Sequence, residues 1–188
     1  MVFQENIASA LERVMKVVKS GGGNIIHTSE ISRPDREILL KTRWLQPIIK
    51  GWYMISRPDA RDGESSIWYA NFWKFISRYL SHHFKKNYCL SAESSIDLHT
   101  DSPTIPSQVI VIVSKKGGSA VNLPFQTSIL PYKDPNNIPD EKREIKEIQV
   151  MELGYALCKV TPIFFEKDPQ KLEIALRLIR SADQLLEP

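Results

Sequence analysis

The 188-residue sequence predicts an α+β fold made of two domains. A helix-period stripe of apolar residues near the N-terminus is followed by two short apolar runs around residue 50 that are typical of a hairpin. Beyond residue 65, helical and extended patterns alternate. A polar stretch containing Pro58, Asp59 and Gly63 separates the two regions. We therefore predict domains at residues 1–57 and 65–188.

The composition is that of a folded chain. Apolar residues make up 42% of it, which argues against wholesale disorder. No stretch reaches the roughly 18 apolar residues that a membrane span needs, and Glu5, Glu12 and Arg13 interrupt any apolar core of a signal peptide. Cys89 and Cys158 lie far apart in the sequence. We expect both to be buried, reduced thiols in a cytoplasmic protein without a membrane partner.

The first domain begins with a predicted helix over residues 3–19, which three consecutive glycines at 21–23 terminate. Residues 24–27 favour an extended segment. Thr28 or Ser29 can then cap a short helix that runs to about residue 32.

A second, longer helix is predicted from Pro34 to about Arg43. Pro34 suits its first turn, where a missing N–H costs nothing. Ser32 and Asp35 have the spacing of a capping box, although Glu or Gln usually occupies the second position. The two helices therefore follow one another closely, as in a helix-turn-helix.

A hairpin is predicted after this helix. Residues 44–49 and 52–55 favour strands, and Lys50-Gly51 between them favours a tight turn. Pro47 lacks a backbone N–H, which assigns the first strand to a sheet edge. The complete order of helix, strand, short helix, helix and hairpin is typical of a winged helix-turn-helix, in which the hairpin is the wing.

Positive charge is concentrated in the same region. Residues 31–57 contain six basic and two acidic residues, whereas the net charge of the whole chain is only +3. A helix-turn-helix binds double-stranded DNA by placing its second helix in the major groove, with cations on the phosphates. The alternative to DNA binding is that this region is a small basic helical subdomain whose charged face is simply solvated. The predicted DNA-binding residues are Thr28, Ser29, Arg33, Arg36, Lys41, Arg43 and Lys50.

The second domain is predicted to be a mixed α/β domain with a small sheet and flanking helices. Residues 66–84 favour an aromatic helix with two apolar stripes. We expect it in a core, with Trp68, Phe72 and Phe75 packed against the strand at 109–113. Lys115 to Ser119 favours a tight hairpin turn, and Asp168 with Pro169 favours the start of a last helix. Strands are predicted at 88–90, 108–114, 120–125, 127–131 and 145–151, helices at 91–99 and 153–160, and a polar loop at 134–143.

No catalytic or metal-binding constellation emerges from the sequence. Ser91, Asp97 and His99 are close, but no nucleophile elbow of the form G-x-S-x-G accompanies them, and a capped helix explains the serines. The adjacent His82 and His83 diverge on a helix and cannot easily face one metal ion. We therefore expect no cofactor, no metal and no enzyme activity.

Several short motifs carry a resemblance to a known family. They are residues 36–57, with Trp44-Leu45 and then Ile49–Tyr53 (IKGWY), residues 88–95 (YCLSAESS) with Leu98-His99, and residues 106–111 (PSQVIV). The first resembles the winged helix of the AbiE antitoxin family of type IV toxin–antitoxin systems, and the others resemble that family's second domain. The resemblance implies a DNA-binding transcriptional regulator that autoregulates its own operon. It also implies a partner toxin of the nucleotidyltransferase type, which the protein would counteract.

A second set of segments is IKGWY at 49–53, RPD at 57–59, GES at 63–65, WYA at 68–70, FW at 72–73 and CLS at 89–91. In order and spacing these segments resemble, more closely, the N-terminal region of some Fic (cell filamentation) family proteins. No histidine of this chain is followed by Pro-Phe, as the H-P-F-x-x-G-N-G-R motif of Fic catalysis requires. This resemblance therefore implies either a stand-alone, non-catalytic regulatory or protein-interaction module associated with a Fic-type enzyme, or the first portion of a longer protein.

Overall fold

The computed structural model describes residues 2–61, 63–182 and 185, and the fold is α+β, as the sequence predicts. The outer limits of the two predicted domains, at Met1 and at residues 186–188, lie outside the described residues. Among the residues described, no helix is both long enough and apolar enough to span a lipid bilayer.

Two compact units divide the chain, and the division falls inside the aromatic helix. The predicted boundary lies closer to the N-terminus, at the polar stretch between residues 57 and 65. The structure differs because the aromatic side chains in the first part of this helix pack within the first unit. The first unit comprises Met1–Arg78 and Leu123–Phe125, and the second comprises Tyr79–Asn122 and Gln126–Pro188.

The first unit follows the predicted order of elements. Where a short helix was predicted, the chain makes only a three-residue 3₁₀ turn. The elements are α1 (Val2–Val17) with a π-helical turn after it (Val18–Gly22), β1 (Ile25–His27), the 3₁₀ turn (Thr28–Glu30), α2 (Arg33–Lys41), β2 (Leu45–Ile49), β3 (Trp52–Ile55) and the first part of α3 (Ser66–Phe84).

The strands of this unit form an antiparallel sheet in the order β1-β3-β2. In the central strand, β3, Met54 pairs with Ile25 of β1 on one side and with Gln46 of β2 on the other. Pro47 therefore lies on an edge strand, as predicted, where its missing N–H leaves no ladder bond unmade. The register of β2 is irregular between Pro47 and Ile49.

An ion pair joins α1 to α2 beside a small apolar cluster. Arg13 donates two hydrogen bonds to the Asp35 carboxylate, from Nε to Oδ2 at 2.8 Å and from Nη2 to Oδ1 at 2.5 Å. The Asp35 N–H donates to Ser32 Oγ at 3.2 Å, so Ser32 caps α2, as predicted. The capping-box prediction was wrong about the carboxylate, which binds Arg13. The buried members of the apolar cluster are Ala10, Val14, Ile26, Leu39 and Leu45.

The aromatic stripe of α3 is buried, as predicted, but its contact with a strand of the same unit is with β3, which the sequence did not indicate. Trp68, Phe72 and Phe75 have no exposed surface. Phe75 meets the indole of Trp52 in β3 edge-on, with the ring centroids 5.8 Å apart, and Trp68 meets Phe72 edge-on at 5.6 Å. Edge-to-face aromatic pairs add to the energy of area burial. These contacts explain why the first part of α3 belongs to the first unit.

The second unit contains a mixed sheet in the strand order β4-β5-β7-β6 and a hairpin of β8 and β9. β5 is parallel to β7, and the other neighbouring pairs are antiparallel. Its elements after α3 are β4 (Tyr88–Leu90), α4 (Ala92–His99), β5 (Gln108–Val113), β6 (Val121–Asn122), β7 (Ser128–Lys133), a 3₁₀ turn (Pro135–Asn137), β8 (Lys142–Ile145), β9 (Ile148–Met151), α5 (Leu153–Lys159), α6 (Pro162–Lys167) and α7 (Pro169–Leu178).

The hairpin predicted at Lys115–Ser119 was wrong. Because β5 and β7 are parallel, the chain between them is a crossover connection. Gly117 lies in this connection against Lys133, and a Cβ on Gly117 would lie 2.8 Å from the Lys133 backbone nitrogen. Gly117 is therefore required for a close approach of two backbone segments. From the sequence alone, this glycine is interpreted as part of a hairpin turn.

The loop and strand predicted at 134–143 and 145–151 are replaced in part by the hairpin of β8 and β9. Lys146 and Glu147 connect these strands with φ angles of 50° and 62°. Two left-handed residues in a two-residue loop are the geometry of a type I′ turn. Such turns usually carry Asn-Gly or Asp-Gly, so Lys-Glu gave no signal for a hairpin.

The two cysteines differ. Cys89 is buried in β4, and burial raises the pKa of its thiol to about 12, which makes it unreactive. Cys158 is exposed, contrary to the prediction, with its Sγ 3.6 Å from the carbonyl oxygen of Leu185. α5 turns its other side, with Ala156 and Leu157, into the core of the second unit.

We expect Phe72→Ala to lower the free energy of unfolding by about 3–5 kcal/mol, because it leaves a cavity where a ring has no exposed surface. Urea unfolding followed by tryptophan fluorescence measures this change. Tyr69→Ala is the matched control on the same helix, since that ring is 40% exposed, and it should cost about 1 kcal/mol or less. Equal losses would contradict the assignment of the buried stripe.

A second prediction concerns pH. The Arg13 guanidinium lowers the pKa of Asp35 below its ordinary value of 3.8, against the opposing effect of burial. A lowered folded-state pKa contributes stability that is present above pH 3.8 and is lost as the pH falls through the folded value. Asp35→Asn should therefore destabilise the protein at neutral pH, and the difference from wild type should shrink in acid.

Urea midpoints at about pH 7 and about pH 3 test this dependence. Asp59→Asn, which changes an exposed carboxylate in the loop before α3, serves as the control and should alter neither midpoint appreciably. A difference between wild type and Asp35→Asn that stays constant over this range would show that the ion pair contributes nothing.

Candidate nucleic-acid interface

One exposed stripe of α2 carries Arg33, Glu37 and Lys41 at successive i, i+4 positions. Arg33 Nε donates to Glu37 Oε1 at 2.7 Å, and both side chains are largely exposed. Lys41 is exposed in the last turn and makes no hydrogen bond or ion pair within the described residues. The predicted cation Arg33 is therefore paired with an acid, whereas the predicted cation Lys41 has no partner among the described residues.

Thr28 joins α2 to the hairpin of β2 and β3. Its backbone N–H donates to the carbonyl oxygen of Gly51 at 2.8 Å, and its hydroxyl accepts a hydrogen bond from Arg36 Nη1. Arg36 is partly buried as a result. Thr28 was predicted as a phosphate donor, and its hydroxyl retains an O–H that can still donate.

The turn at Lys50-Gly51 lies at the end of this hairpin. Gly51 has a φ of 83°, in the left-handed region that favours glycine. The β1–β3 ladder runs to the pair His27 and Trp52, and Trp52 directly follows this turn in the chain. The hairpin of β2 and β3 therefore extends only slightly past the end of β1. It is shorter than a protruding wing. Lys50 is exposed at its tip and has no hydrogen-bond or ion-pair partner in the part of the chain that the structure describes.

His27 caps the 3₁₀ turn, in place of the predicted Thr28 or Ser29. Its Nδ1 accepts from the Ser29 N–H at 3.3 Å and lies 2.8 Å from Ser29 Oγ. Glu30 Oε2 accepts from the His27 N–H at 2.7 Å, which completes a capping box. Ser29, predicted to contact DNA, is thus exposed but tied to His27. The sequence did not predict this capping box, because histidine is an uncommon N-cap residue.

Arg78, at the end of the first unit, fixes this turn from α3. Its Nη2 contacts Glu30 Oε1 at 2.5 Å, and its Nη1 donates to the carbonyl oxygen of Ile25. Its guanidinium carbon lies 5.8 Å from the centre of the Trp52 ring, within cation–π range. Arg78 is largely buried, with 17% of its side chain exposed. The charged cluster therefore anchors the turn that carries Thr28 and Ser29.

Arg43 follows α2 in a left-handed conformation, with a φ of 61°. α2 ends at Lys41, two residues earlier than predicted, and Thr42 Oγ1 donates back to the carbonyl oxygen of Ile38 at 2.7 Å. The Arg43 N–H donates to the carbonyl oxygen of Leu40 at 3.2 Å. Arg43 is therefore exposed in the connection to β2, outside the stripe of α2 that carries Arg33.

The structure thus brings Thr28 and Arg36 into direct contact and places Lys41 and Lys50 on exposed positions of α2 and the hairpin turn. Sequence reasoning missed Glu37, because it considered only basic and hydroxyl side chains. The signal was available: Glu37 follows Arg33 by four residues on the same face of the helix.

In the second unit, Ser91, Asp97 and His99 are engaged separately. Ser91 Oγ accepts from the Ser94 N–H at 3.3 Å, so it caps α4, as predicted. Asp97 pairs with Lys171 Nζ at 2.7 Å, and burial raises the pKa of Asp97 while Lys171 opposes the rise. His99 Nε2 lies 2.8 Å from the carbonyl oxygen of Met151, and burial lowers its pKa. These groups hold α4 in the core.

No group of three or more His, Cys, Asp or Glu side chains within the described ranges could hold a metal ion. No protein-family model matches the sequence, and a search of curated proteins gives no significant match. The resemblances to the AbiE and Fic families therefore stay predictions.

We expect Glu30→Gln to lower the free energy of unfolding by about 1–3 kcal/mol, because it replaces the carboxylate that contacts the largely buried Arg78 with a neutral amide. Chemical denaturation measures the loss. Glu12→Gln removes an acid whose i, i+4 pair with Lys16 is exposed, and it should change stability far less. Equal effects of the two variants would mean that the Arg78 cluster does not anchor the turn.

Proposed function

We propose that the first unit is a winged helix that binds double-stranded DNA through α2 and the turn between β2 and β3. The observation that carries this proposal is the combination of element order, the β1-β3-β2 sheet and exposed cations on α2 and the hairpin tip. In helix-turn-helix proteins the second helix lies in the major groove. Here α2 takes that position, and the short 3₁₀ turn replaces the first helix of the motif.

The distribution of charge supports this proposal. The first unit contains 12 basic and 8 acidic residues, whereas the second contains 13 basic and 14 acidic residues. The positive surplus of the chain therefore belongs to the unit that carries α2. Neutralising phosphates releases counterions, which supplies most of the non-specific affinity of a DNA-binding protein.

The side chains divide between two roles in this proposal. Lys41 and Lys50 are exposed and unpaired among the described residues, which suits contacts to phosphates. Arg33 lies near the N-terminal end of α2, the end that faces the bases in this motif. Arg36 is held by Thr28, so it positions the helix against the hairpin as well as carrying charge.

The protein is further proposed to be a transcriptional regulator without enzyme activity of its own. The AbiE resemblance supports autoregulation of its operon and a nucleotidyltransferase-type toxin as partner, whereas the Fic resemblance supports association with a Fic-domain protein. The neighbouring reading frame discriminates between them. Co-expression of its product with this chain, followed by purification through a tag on one of them, tests whether the two associate.

DNA binding is tested by titrating a fluorescent random-sequence duplex and the DNA upstream of the protein's own gene with the full chain, at salt concentrations from about 50 to 200 mM. Lys50→Ala should weaken binding to both duplexes alike and lower the salt slope by about one, because one phosphate contact is lost. Lys16→Ala removes the same charge from an exposed position on α1 and should leave the slope nearly unchanged.

If the wild-type protein binds neither duplex at about 50 mM salt, where electrostatic binding is strong, the DNA-binding proposal is wrong. The first unit would then be an interaction surface for a protein. Equal effects of Lys50→Ala and Lys16→Ala would instead argue that binding depends on net charge and not on the hairpin tip.

A further inference from the structure

An acidic side chain lies within the surface proposed to contact DNA. Glu37 occupies the middle of the exposed stripe of α2, between Arg33 and Lys41. Its Oε1 accepts from Arg33 Nε at 2.7 Å, and neither residue has another hydrogen-bond partner among the described residues. Oε2 of Glu37 and both terminal nitrogens of Arg33 therefore remain open to a ligand.

A carboxylate at this position is unfavourable for phosphate binding alone. It repels the DNA backbone, and an exposed i, i+4 ion pair returns little stability to the fold. A carboxylate is useful in the major groove, however, because it accepts a hydrogen bond from the N4 amino group of cytosine. The same oxygen would face acceptors at guanine O6 and N7 or at thymine O4 and would be repelled there.

Arg33 is suited to the adjacent base. The pair with Glu37 uses Nε, which leaves Nη1 and Nη2 for a bidentate contact with guanine O6 and N7. Arg33 lowers the pKa of Glu37, and Arg36 adds to this effect, so the carboxylate is ionised and acts only as an acceptor.

We propose that Glu37 is a specificity-determining residue, which accepts from a cytosine amino group in the major groove and positions Arg33 on a neighbouring guanine. This inference rests on the proposed DNA-binding function. It predicts that the preferred site contains a guanine and a cytosine at adjacent or nearby positions under α2, and that Glu37 lowers affinity for all other sequences.

The test is a selection of duplexes from a random-sequence pool by the wild-type chain and by Glu37→Gln, followed by titration of the selected and random duplexes. Glu37→Gln should bind random DNA more tightly, because a negative charge is removed. It should also lose at least about fivefold of the discrimination at one C·G pair. Glu12→Gln is the charge-matched control on α1 and should keep the selected sequence.

Glu37→Asp separates charge from reach. It keeps the negative charge but is one methylene shorter, so it should leave affinity for random DNA near the wild-type value and still lose the preference for cytosine. The inference is overturned if wild type enriches a defined sequence and both Glu37 variants enrich the same sequence with equal discrimination. If wild type enriches no sequence and binds no DNA at low salt, the proposed function itself is wrong.

Discussion

The position of the Thr28–Glu30 turn depends on a partly buried charge pair between Arg78 and Glu30. Arg78 also donates to the carbonyl oxygen of Ile25 and lies against the Trp52 ring, so one guanidinium contacts β1, β3 and the turn. Removing one partner of such a pair leaves a poorly solvated charge, which costs more than the pair contributes in net terms. The Arg78–Glu30 pair therefore restricts the 3₁₀ turn to one position. The positions of Thr28 and Ser29 depend on that pair, because both residues lie in the turn.

α2 has only nine residues, and an isolated helix of that length is not stable in water. It depends on contacts made at its first turn: Ser32 caps it, and Asp35 accepts two hydrogen bonds from Arg13 of α1. Arg36, one residue later, donates to Thr28 and thereby joins the helix to the 3₁₀ turn. The N-terminal half of α2 is thus fixed by polar contacts, whereas Lys41 at the other end is exposed and unpaired among the described residues.

Several features that depend on local sequence were predicted correctly. The cap at Ser32, the cap at Asp168 before Pro169, the hairpin at Lys50-Gly51 and the extent of α3 follow from spacing and turn chemistry. Features that depend on a distant partner were not. The Asp35 carboxylate has a partner 22 residues away, and the unit boundary depends on how α3 packs against Trp52. In the candidate site, the positions of the cations and the i, i+4 partner of Arg33 follow from local spacing, whereas the partner of Arg36 does not.

On the proposed surface, Arg33 and Arg36 bond to neighbouring side chains, whereas Lys41 and Lys50 have no partner among the described residues, and this difference bears on recognition. Arg33 and Arg36 are each held by a neighbouring side chain, so their guanidinium groups meet a ligand in a restricted geometry, which is what discrimination between bases requires. If α2 and the hairpin tip bind DNA as proposed, the long side chains of Lys41 and Lys50 are suited to contacts with phosphates rather than with bases. Thr28 bonds to both Arg36 and Gly51. The same residue therefore fixes α2, which carries the arginines, and the hairpin turn, which carries Lys50. A displacement of the 3₁₀ turn that carries Thr28 would therefore move both α2 and the tip of the hairpin.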